Sequence, residues 1–171
     1  MRAANLLFLL LLVLNACSLL RDSDEPDGSN CVPYARHISG VQIYGDAHQW
    51  WQKADGIYAK GHLPKPGAVL VLSKTNRLRY GHLAVVNKIL GTHLITIDHA
   101  NWWPGKISRD MKVRDVSPGN DWSQLQFWNA DASAFGKVYP ALGFIYPTRS
   151  AAARSTDNSA SFCLLKGAYG N

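Results

Sequence analysis

Cysteine is scarce in this chain: Cys17, Cys31 and Cys163 are the only three among 171 residues. So few thiols cannot staple a small scaffold, and the fold must rest on an apolar core. Long hydrophobic runs are nearly absent as well. The one unbroken apolar stretch, residues 6–14, is too short to cross a bilayer as a mature helix. Charge is sparse, at 18% of residues, and although the net charge is +6 the basic residues are scattered rather than run together. That pattern gives no basic stripe for a nucleic-acid backbone, so no nucleic-acid partner is expected. No internal repeat is present.

What the chain does contain begins at its start. Arg2 is the only charge before the apolar stretch, the arrangement of a secretory leader. The stretch ends in Leu14-Asn15-Ala16-Cys17-Ser18, which resembles a lipobox, a small residue before a cysteine that takes lipid and becomes the new N-terminus. Ordinary cleavage near Ala16, with Cys17 a bystander, is the plainer alternative. The expectation is a signal peptide over 1–16, a lipidated Cys17, and a chain secreted across the inner membrane and anchored facing the periplasm.

Residues 17–29, with Asp22, Asp24, Glu25 and Asp27, read as an acidic tether. Residues 30–147 read as one domain, and residues 148–171, rich in Ser, Ala and Asn, as a loose tail. Within the domain, residues 31–39 form a helical pattern that starts at Cys31, has Pro33 in its first turn and ends at Gly40. A second helix is expected over 47–60, capped by Asp46, with Trp50, Ala54 and Ile57 or Tyr58 on one face. The period then shifts to strands over 68–72, 81–86 and 93–99, with further strands over 106–113 and 142–146. Helices first and an antiparallel meander after predict an α+β fold, N-terminal helices packed on a central antiparallel sheet.

The chemistry concentrates in three segments. A thiol at a helix N-terminus sits in the positive end of the macrodipole, which favours thiolate, and the unpaired N–H groups of the first turn can receive an oxyanion. Asn30, just before Cys31, offers a side-chain amide as a second donor. His82 heads a strand and can serve as base. On the next strand His99 and Asn101 share the face of Ile95 and Ile97, which makes His99 the better candidate to hold the ring of His82, with Asn101 beside it. Asp98 is the better acceptor chemically but lies on the opposite face. A disulfide between Cys31 and Cys163 is the bland alternative for the thiol. His82, His93 and His99 match no metal-ligand spacing, and neither metal nor cofactor is expected. The tryptophans are mostly core candidates, except that Trp102 and Trp103 flank the site and are expected to line a substrate cleft.

The segments Asn30-Cys31-Val32-Pro33-Tyr34-Ala35, Pro64-Lys65-Pro66-Gly67, Gly81-His82-Leu83-Ala84-Val85-Val86 and His99-Ala100-Asn101-Trp102 resemble, in order and spacing, the CHAP domain. This is the cysteine, histidine-dependent amidohydrolase/peptidase family, a papain-like group related to NlpC-type cell-wall hydrolases. The resemblance covers about residues 30–147. It implies a thiol hydrolase of peptidoglycan amide bonds, either an endopeptidase or an N-acetylmuramoyl-L-alanine amidase, with Cys31 as nucleophile and His82 as base. Asn30 stands where the family commonly has Gln, and His99 where it often has Glu; histidine fills that third place among NlpC-type relatives. Ala68 stands where an acidic residue often follows the glycine. The mild positive charge suits an anionic polymer such as the wall. The rival from another class is a silent wall-binding lipoprotein that kept the fold and lost turnover.

Overall fold

The computed structural model describes residues 26 and 28–149. The leader, Cys17 and nearly all of the tether, the tail from residue 150 and Cys163 lie outside the described residues. Helix α1 spans Cys31–Ser39. A 3-10 turn at Ala47–Gln49 runs into the short helix α2, Trp50–Lys53. Seven strands follow: β1 Tyr58–Gly61, β2 Val69–Leu72, β3 His82–Gly91, β4 Leu94–Ala100, β5 Ile107–Asp115, β6 Gln124–Asn129 and β7 Ala134–Arg149.

The strands are ordered β1-β7-β2-β3-β4-β5-β6, and β6 pairs again with β7. All pairings are antiparallel. The β6–β7 pairing closes β7, β2, β3, β4, β5 and β6 into a six-stranded barrel, with β1 added outside on β7. This corrects the expected α+β layering of helices on a central sheet: the fold is mainly β, and its core is the barrel interior. The cause is β7, whose first part pairs with β6 (Leu125↔Tyr139) and whose last part lies between β2 (Val69↔Ile145) and β1 (Lys60↔Ile145). The change of partner falls where the register slips between Val71 and Leu72 and where Gly143 has φ +133°. A Cβ at Gly143 would meet the Gly61 carbonyl oxygen at 2.7 Å. Bulges and strand glycines commonly mark such bends.

Side chains sort by strand alternation. Leu70, Leu72, Ala84, Val86, Ile95, Ile97, Val113, Leu125, Phe127 and Phe144 fill the barrel. Val69, Val71, Leu83, Val85 and Ile145 point outward, where Ala35, Ala47, Trp50, Ala54 and Tyr58 cover them. Because β2 is covered on both faces, its four residues are all buried and it reads as a continuous apolar run.

The expected helix over 47–60 is a second correction. Asp46 makes no side-chain cap bond, α2 lasts four residues, and Gly56 at φ +73° turns the chain into β1. Helix α1 forms where expected. Gly40 closes it at φ 74°, with its N–H on the Arg36 carbonyl at 2.9 Å.

Candidate active site

Asn30 sets the start of α1. Its backbone is extended and its Oδ1 accepts from the Val32 N–H at 2.9 Å, so the cap fixes where Cys31 stands. Tyr34 and Ala35 are buried on the face that packs against β3 and β4. The Cys31 thiol is free, and it lies against the start of β3, where the backbone N–H of Leu83 donates to it. Burial pushes the thiol up from its ordinary value, outweighing the Leu83 and Cys31 amides that pull it down. The helix end alone argues for a thiolate; the buried setting holds a thiol instead.

His82 opens β3, with Leu72 as its partner in register on β2. Gly81 before it has φ +75°, and a Cβ there would lie 2.7 Å from the Leu72 carbonyl oxygen and 2.8 Å from the His48 nitrogen. The 3-10 turn therefore packs directly behind the histidine, and only glycine fits. Gly81→Ala is expected to cost roughly 1–3 kcal/mol of stability. It is also expected to move the imidazole chemical shifts of His82 and slow turnover, as a thermal melt, an NMR titration and a rate assay would read.

The ring of His82 meets that of His99: Nε2 and Nδ1 are 3.0 Å apart, and the rings stand edge to face at 5.1 Å. Both are buried, at 4% and 0% exposure. Desolvation drives both imidazoles toward the neutral form. It holds His82 well below its ordinary value, with the neighbouring His99 adding to the shift, and it brings His99 down to about 4. His99 Nε2 finds no hydrogen-bond partner among the described residues. Trp102 braces the pair, its ring 5.1 Å from His82 and 5.5 Å from His99, and it stacks on Phe127 at 4.7 Å.

Asn101 and Asp98 go elsewhere. Asn101 has φ 60°, and its Oδ1 accepts from the Gly105 N–H at 3.1 Å, so it shapes the β4–β5 turn at the rim of the cleft. Asp98 accepts from the Asp110 N–H at 2.8 Å and from Asn87. A cleft of about 600 Å³ brings Asn30, Cys31, His82 and Asn101 together with residues 45–47 and 77–81. Arg77, Arg79 and Tyr80 of the β2–β3 loop line it too, and no local pattern in the sequence marked them. Trp103 lies outside this cleft and is 45% exposed.

Residues 21–101 match the family model of the CHAP domain. Over that stretch the chain is similar to the CHAP domain. The stretch contains Asn30, Cys31, His82, His99 and Asn101, whereas Trp102, Trp103 and the strands from β5 onward lie beyond it. A solved structure of an N-acetylmuramoyl-L-alanine amidase from Staphylococcus aureus is similar at 26% identity, with a TM-score of 0.42 over 66% of this chain and 30% of that one. The chain thus spans less than a third of that amidase. No curated protein matches the chain.

Proposed function

We propose that this CHAP-like domain hydrolyses amide bonds in peptidoglycan through a thiol mechanism. The observation that carries the reading is a free cysteine at a capped helix start, in one cleft with a histidine whose far nitrogen is already held by a second histidine. With His82 Nε2 engaged, Nδ1 is the nitrogen left for the thiol. Both partners rest neutral, so the proton passes from Sγ to Nδ1 as the sulfur attacks the carbonyl carbon. The Cys31 N–H and the Asn30 amide stabilise the tetrahedral oxyanion. His82 then returns the proton to the leaving amine, and water releases the acyl group. His99 Nδ1 accepts from His82 Nε2–H throughout and fixes the ring. Asn101 and Trp102 act by shaping and bracing the cleft.

A lipid on Cys17 belongs to the same proposal; it would hold the domain in the envelope, facing the wall. The bond cut is either the sugar–peptide amide or one within the peptide cross-links. Mass spectrometry of purified peptidoglycan after digestion tests the proposal. The expected result is new free amino termini in muropeptides, absent with Cys31→Ala, and lactyl groups freed of peptide identify an amidase. An unchanged muropeptide profile with the intact protein would leave the silent wall-binding reading in place.

A further inference from the structure

Two hollows are lined by residues of β5, β6 and their neighbouring turns, one of about 240 Å³ and one of about 420 Å³. Trp103, Trp128 and Asn129 line both, so these residues stand between them. Arg77 lines both the smaller hollow and the Cys31 cleft, so the two adjoin at that side chain. Among the described residues Trp103 leaves 45% of its surface in water, a large apolar exposure. The Trp128 ring is held on edge by Phe135 at 5.2 Å, with Lys112 Nζ 5.9 Å from its centroid.

A flat indole beside an amide and carboxylates suits a ligand with an apolar C–H face and hydroxyls around its edge, which is a pyranose ring. The larger hollow balances Arg109 and Lys112 against Asp110 and Asp131, so its walls favour a neutral ligand over a polyanion.

We propose that Trp103 and Trp128 form a sugar-stacking subsite that holds N-acetylhexosamine rings of a glycan strand while the attached peptide enters the cleft at Cys31. The proposal rests on the peptidoglycan reading above, but binding can be measured without turnover. The test titrates the full chain carrying Cys31→Ala with a β-1,4-linked N-acetylglucosamine tetramer, followed by calorimetry and tryptophan fluorescence. Saturable binding is expected, weakened at least about tenfold by Trp103→Ala and by Trp128→Ala and nearly kept by Trp128→Phe. Trp103→Ala, at an exposed position, remains informative if Trp128→Ala fails to fold. Trp51→Ala, an aromatic change on the β1 side, should leave binding unchanged. No saturable binding, or equal binding with Trp103→Ala, overturns the subsite, as does a single-stranded oligonucleotide that binds through the same tryptophans. Oligosaccharide binding by a protein that releases no muropeptides would overturn the hydrolase reading alone.

Discussion

Cys31→Ala is expected to remove amide cleavage, lowering kcat by a factor on the order of 10⁴ or more, while the folded state is kept. The two effects separate because of where Cys31 sits. It is only partly buried at the edge of the outer cluster, and the helix start is set by the Asn30 cap rather than by the thiol. Truncating one sulfur there should cost less than about 1 kcal/mol. His82→Ala should match the loss of turnover but also lower the melting temperature, since it empties a buried position and strips His99 of its hydrogen bond. The double variant should be no slower than either single one, because nucleophile and base act as a unit. A rate assay beside circular dichroism reads all three. Multiplicative losses in the double variant would mean that the two residues do not share one step.

Much of this site was legible in the sequence, and the reason is locality. Asn30, Pro33 and Gly40 fix α1 through contacts within a few residues. The placement of His99 on the side of His82, with Asp98 turned away, follows from alternation along one strand. Barrel closure was not legible, because it depends on β7 leaving its hairpin with β6 and changing partners near Gly143 to pair with the distant β2 (Val69↔Ile145), and a pairing of that range leaves no trace in local periodicity. The expected second helix is instructive. Trp50, Ala54 and Tyr58 are buried in one cluster, as the helical spacing predicts, yet Tyr58 reaches it from strand β1 and not from a helix. The residues were core; the element was not a helix. The state of the thiol was likewise beyond reach, since burial against Leu83 is a tertiary fact.

His99→Ala is expected to lower kcat by roughly 100- to 1,000-fold with little change in KM, because it frees the ring of His82 without touching the substrate. His99→Asn, which sets Oδ1 close to the position of the imidazole Nδ1, should restore most of the rate. The pH profile separates positioning from mere structure. His82 must be neutral to accept the thiol proton, and its burial, with the neighbouring His99, holds its pKa well below 6.5. The intact enzyme should therefore keep its activity well below pH 6.5, whereas in His99→Ala, with water admitted and the neighbour gone, the acid limb should move up toward 6.5. Stability follows the same sign. His99 titrates near 4 when folded against an ordinary 6.5, so between these values the unfolded chain binds more protons. The contribution is complete above pH 6.5 and is lost as the pH falls toward 4, amounting to about 3 kcal/mol. Denaturant titrations across that window should show a steep acid loss in the intact protein and a shallower one in His99→Asn. An acid limb that stays in place in His99→Ala would sink the positioning role and leave His99 as packing.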